Sequence, residues 1–132
     1  MTHETARWDA YRSAVVDVET PLGPVVLRVG AAPMPPGGVT VHVVTAYNPG
    51  SVLSDDENIA AQSELASEVA RMAVEIWPAV GSELDGPWAE PSLAIVGLSR
   101  GEAVELGLRY GQDAIFEWAD LVLAVLPCVT ID

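Results

Sequence analysis

Two apolar runs in this chain pass into the same four-residue signature. Residues 39–46 (VTVHVVTA) lead to Ser54-Asp55-Asp56-Glu57, and residues 91–98 (PSLAIVGL) lead to Ser99-Arg100-Gly101-Glu102. Short unbroken runs of β-branched and aliphatic residues mark buried strands. S-x-x-E is a capping box, in which the Ser and Glu side chains each bond the backbone N–H of the other residue. Each run is therefore a strand entering a helix. The first helix is expected over residues 55–72, with Ala61, Leu65, Val69 and Met72 as its apolar stripe. Asp55 and Asp56 fall in its first turn, where the helix dipole favours anions. The second helix sets Ala103, Leu106, Gly107 and Tyr110 on one face, with Gly107 permitting close approach to a sheet. Glu105 and Arg109 form an i,i+4 pair on it, and Gly111 stands where a helix-ending residue is expected.

The remaining segments follow from turn chemistry. Residues 2–14 carry Trp8 and Tyr11 on a short helical face that continues to Val15. Residues 15–19 and 25–30 read as a hairpin around Thr-Pro-Leu-Gly-Pro at 20–24. The Pro/Gly stretch 31–38 admits no strand, because proline lacks the donor that a ladder needs. Residues 74–80 read as a strand and 81–88 as a loop. Residues 114–118 and 121–127 read as one or two closing strands. From residue 39 the order is β-α-β-β-α-β. It predicts an α+β fold, a two-layer sandwich with a ferredoxin-like split βαβ core. The N-terminal helix, hairpin and Pro/Gly loop (1–38) would be additions to that core (39–132), all within a single domain of 132 residues. Such a sheet leaves one face open, and an open apolar face invites a partner.

Composition narrows the functional classes. The net charge is −13, with six Arg and no Lys. A chain this acidic lacks the cations that neutralise nucleic-acid phosphates or meet anionic membranes, so neither partner is expected. The apolar runs are too short to span a bilayer, and no signal segment is seen, so a soluble cytoplasmic protein is expected. The absence of Lys beside abundant Ala, Val and Gly points to a GC-rich bacterial source. Cys128 has no cysteine partner, and only His3 and His42 accompany it. No metal site and no cofactor are expected. His42, inside a strand, reads as a structural histidine.

The candidate site residues stand at element junctions. Thr45, Tyr47, Asn48, Ser51 and Asn58 surround the exit of the first run, in TAYNPGSVLSDDEN. Trp88, Glu90 and Ser92 lead into the second, and Gly111, Gln112 and Asp113 follow the second helix. Ser54 already caps the first helix, and its acidic first turn argues against a phosphate cradle. Asn58 can tie down its own loop or reach a ligand. Glu90, beside apolar sequence, is the one acid/base candidate. Arg100 is the basic residue best placed for an anionic ligand; it opposes the helix dipole and so calls for a partner, and Glu90 is an acid that could pair with it. No serine sits in a nucleophile elbow.

TAYNPGS with the following EN, then WAEPSLAIVGLSR, then YGQDAIFEW, resembles the bacterial family catalogued as domain of unknown function 3293, over residues 11–118. Asp113 stands where that family shows Asn. The resemblance implies no activity. Two readings result. The favoured one is a non-catalytic binding or protein-interaction module, with a small polar ligand or a protein partner and self-association expected. The alternative is a small-molecule enzyme in which Tyr47, Asn48, Asn58, Trp88, Glu90 and Gln112 converge, with Glu90 as acid or base.

Overall fold

The computed structural model describes residues 3–47, 53–83 and 89–129. Helix α1 (His3–Arg12) leads into the hairpin of β1 (Ala14–Thr20) and β2 (Gly23–Arg28). Val29 alone separates β2 from β3 (Gly30–Ala31). Then come β4 (Val41–Val44), α2 (Asp55–Ala70), β5 (Glu75–Glu83) and β6 (Ala89–Val96). The chain closes with α3 (Arg100–Arg109), β7 (Ala114–Ala119) and β8 (Val122–Pro127). Both capping boxes form. Ser54 Oγ accepts from the Glu57 N–H at 3.2 Å, and Ser99 Oγ accepts from the Glu102 N–H at 3.1 Å.

All eight strands form one antiparallel sheet in the order β2-β1-β5-β6-β4-β7-β8-β3. Its edges, β2 and β3, are consecutive in the chain. Across a flat sheet of this many strands the edges would stand about 34 Å apart, at roughly 4.8 Å per strand. The single residue between them spans at most about 7 Å. The sheet therefore curls into a nearly closed barrel. β2 and β3 act as one bent strand whose first part pairs with β1 and whose second part pairs with β8. The bend falls at Gly30, whose φ of 112° lies where side chains are rarely tolerated.

The expectation of a two-layer, ferredoxin-like sandwich is thus overturned. The chain order β-α-β-β-α-β is present, but β1 and β2 extend the sheet at one side of those four strands and β8 and β3 at the other. The face expected to lie open is the barrel interior. It holds Val16, Val18, Leu27, Val41, Val43, Trp77, Ala94, Trp118 and Leu123 in one core. Trp118 is fully buried there, and its indole N–H donates to the Pro33 carbonyl at 2.7 Å. The apolar run 121–127 supplies β8 and points Leu123 into the same interior. An open sheet face as the ground for self-association falls with the sandwich.

Helices α2 and α3 pack on the outside of the barrel. Leu65, Val69, Ala103 and Leu106 meet Val44, Ile95 and Ile115 in a second core. β4 lies between the two cores, so all four of its residues are buried. Gly107 faces Ile115 and Cys128 so closely that a Cβ there would stand 2.8 Å from each. Helix α1 sits at the end of the barrel where β7 begins, its Tyr11 ring 6.2 Å from Phe116.

Closure at the bend makes a testable demand. Gly30→Ala forces a side chain into a positive-φ conformation and should cost about 1–3 kcal/mol. In urea the midpoint should fall with the slope unchanged. An unshifted midpoint would mean that the bend does not hold the barrel.

Candidate functional site

The exit of β4 is tied down from three sides. Thr45 Oγ1 donates to the Pro91 carbonyl at 2.7 Å, and the Tyr47 N–H donates back to Thr45 Oγ1 at 3.1 Å. The Ala46 N–H donates to Gln62 Oε1 at 2.8 Å, so α2 holds the strand end directly. Gln112 is buried, and its Nε2 lies 3.4 Å from both the Tyr47 and Tyr110 carbonyls. Asn58 is buried in the first turn of α2, in line with Leu65 and Val69, and is itself engaged. The junction therefore brings Tyr47 and Gln112 together, and their polar contacts are internal. Asn48, Ser51 and Trp88 lie outside the described residues.

Glu90 lies at the same end of the barrel but on the other face. Along β6, Ala94 joins the interior core while Ile95 joins the outer one. Strand alternation then sets Glu90 and Ser92 on the interior side, and Pro91 and Leu93 outside. The neighbourhood of Glu90 is the Tyr11 phenol. Burial, the nearby Asp113 charge and, more weakly, Glu90 push that phenol up to about 12, against a bond from the Ala114 N–H. Glu90 is engaged within the fold as well.

Outside the barrel, between α2 and β5–β6, runs a groove of about 480 Å³. Ile59, Gln62, Ser63 and Ala66 form its α2 wall. Ile76, Pro78, Pro91 and Leu93 form its floor, which Ala79 and Ser92 also border, and Tyr47 completes the lining. Ile59 is 58% exposed. No lining residue is charged. A few amides and hydroxyls on an otherwise apolar concave surface are the usual make-up of a binding site.

A second constellation lies beneath the start of α3. His42 and Glu117 are direct cross-strand partners on β4 and β7. His42 Nε2 stands 2.9 Å from Glu117 Oε2. A carboxylate only accepts, so Nε2 carries the proton between them. His42 Nδ1 is buried and has no hydrogen-bond partner among the described residues. Arg100 donates to the same carboxylate from Nε at 3.0 Å and Nη2 at 2.7 Å, so its partner is Glu117, not Glu90. Glu117 is held below the ordinary carboxylate range. The Arg100 bonds are the largest cause, burial opposes them, and His42 adds to the lowering. Among the described residues no cluster of three His, Cys, Asp or Glu could hold a metal ion.

Glu117 and Gln62 escaped the reading of the sequence. An acid inside AIFEW, at an outward strand position, was the available signal for the first. For the second it was an amide four residues after Asn58, beside the apolar stripe.

Residues 44–115, more than half of the chain, match a family described as "Protein of unknown function (DUF3293)". No curated protein and no solved structure matches the chain significantly. The family match covers Tyr47, Asn58, Glu90, Arg100 and Gln112, and stops short of Glu117.

Because Glu117 is depressed in the folded state, its contribution is present above the unfolded pKa and lost as pH falls through the folded value. Glu117→Gln should therefore lose on the order of 1–2 kcal/mol near neutral pH. The gap to wild type should close as pH drops below about 4.5. Chemical denaturation across pH 3–7 measures this, and a gap independent of pH would remove the carboxylate from the account.

Proposed function

The chain belongs to the DUF3293 family, whose description names no activity, and we propose its role from geometry: a non-catalytic binding module whose ligand face is the groove between α2 and β5–β6. One observation carries this reading. The groove is apolar and uncharged, while Glu90, the acid/base candidate, points to the opposite face of β6. Two amides support the same view. Gln62, on the groove wall, and Gln112, behind it, bond the Ala46 N–H and the Tyr47 carbonyl at the β4 exit, so they shape the groove more than they offer hydrogen bonds to a ligand. In the enzyme reading, Glu90 would have to act on a bound substrate from the side of β6 that faces the barrel interior.

The setting belongs to the same proposal. A free cysteine and no lysine support a bacterial, cytoplasmic protein. Among the described residues no helix is long and apolar enough to cross a membrane.

A screen of apolar fragments and short peptides by amide NMR tests the proposal. Shifts should gather on Tyr47, Ile59, Gln62, Ala66, Ile76 and Leu93. A ligand at a hundred times its dissociation constant should also stabilise the fold by about 2.7 kcal/mol. Shifts gathered instead on Tyr11, Glu90 and Ala114 would move the site to the barrel end and revive Glu90 as a reacting group.

A further inference from the structure

We propose that the occupant of this groove is a basic amphipathic peptide segment of another protein, its apolar side chains on the proline-floored groove and its Lys or Arg side chains on the acidic margins. The inference rests on the groove being the binding face and adds the chemistry of the partner.

Charge distribution carries it. The groove's lining is uncharged, but its borders are acidic. Asp55 precedes Ile59 by one turn of α2, on the groove side. On the other margin, Asp17 of β1 pairs across to Val80, and Glu19 follows Val18, whose partner Ala79 adjoins Pro78. Asp17 and Glu19 are exposed. None of the described ion pairs includes Asp17, Glu19 or Asp55. Arg12, Arg100 and Arg109 are each held by an acid, Asp9, Glu117 and Glu68 respectively. Arg28 shares the outer face with Asp17, diagonally across the β1–β2 ladder and one strand farther from the groove, and is in none of the described ion pairs.

The shape suits a segment more than a compact molecule. Ile59 to Ala66 covers about two turns of α2, or roughly 10 Å, open along its length. A helix or extended strip laid there can seat two or three apolar side chains, the usual mode of groove recognition. A second copy of this chain is a poor occupant. Each copy carries −13, and like charges across an interface oppose association. Tyr47 in the groove's lining can also receive a cation on its ring face.

The test uses fluorescence anisotropy with three labelled peptides: an amphipathic helix of Leu, Ala and Lys, and its Glu-for-Lys and Gln-for-Lys counterparts. The proteins are wild type, Ile59→Arg and Leu108→Arg. Ile59 and Leu108 are both exposed, so the variants should fold, and each changes the charge equally. Leu108 lies on α3 and does not line the groove. The Lys peptide should bind wild type and Leu108→Arg alike, lose about tenfold or more on Ile59→Arg, and weaken as salt rises. Equal loss in both variants would reduce the binding to diffuse attraction and overturn the proposal. Groove-dependent binding with no preference for the Lys peptide would overturn the basic partner and leave the groove standing. No binding by any peptide would overturn the peptide occupant, while the fragment screen decides separately whether the groove binds at all.

Discussion

Val29 is all the chain that separates the two edges of an eight-stranded sheet. That short connection is the constraint on which the rest of the molecule depends. It compels the sheet to curl, and curling divides the apolar residues into an enclosed set and an outer set. Closure also removes most of the unpaired edge that an open antiparallel sheet would expose to other chains. Pro78 and Pro91 sit in the β5–β6 ladder opposite Leu93 and Val80, and on their other sides both lie beyond the ends of the β1 and β4 ladders, where no donor is required.

Division of the sheet into inside and outside decides what each junction residue can do. Alternation along β6 sends Glu90 and Ser92 inward and Pro91 and Leu93 outward. Residues adjacent in the sequence therefore serve unrelated surroundings. The same alternation on β4 and β7 sets His42 and Glu117 outside the barrel, beneath α3, where Arg100 reaches them. A buried carboxylate needs such partners, because an unpaired charge there is strongly unfavourable. The His42–Glu117–Arg100 chain thereby fastens α3 to two strands.

Local signals in the sequence were strong, and the elements they concern are those that form. Ser54 with Glu57 and Ser99 with Glu102 are contacts three residues apart, set by helix geometry alone. The hairpin of β1 and β2 is similarly local. The global shape was not legible, for a physical reason. Nothing in Val29 or Gly30 states that β3 leaves β2 to pair with β8 some ninety residues onward. A sheet of four strands and a barrel of eight contain the same β-α-β-β-α-β stretch. What separates them is whether the flanking strands meet around the far side. The surroundings of Glu90 were hidden by the same gap, since its face depends on register and its neighbour Tyr11 is distant in sequence. Residues 44–115 carry the family likeness, yet the closing strands lie outside that span.

In the binding reading proposed above, the polar residues of the junction serve the groove indirectly. Thr45, Gln62 and Gln112 hold the β4 exit at distances of 2.7–3.4 Å. Each bond spans different elements: β4 to β6, β4 to α2, and the turn after α3 to the β4 exit. A groove walled by one helix and floored by two strands keeps its width only if helix and strands cannot slide. Cross-links of this kind supply that rigidity, and a rigid apolar groove loses little entropy when a ligand settles into it. In the proposed binding reading, Thr45, Gln62 and Gln112 act one step back, holding in place the apolar surface that a ligand would meet.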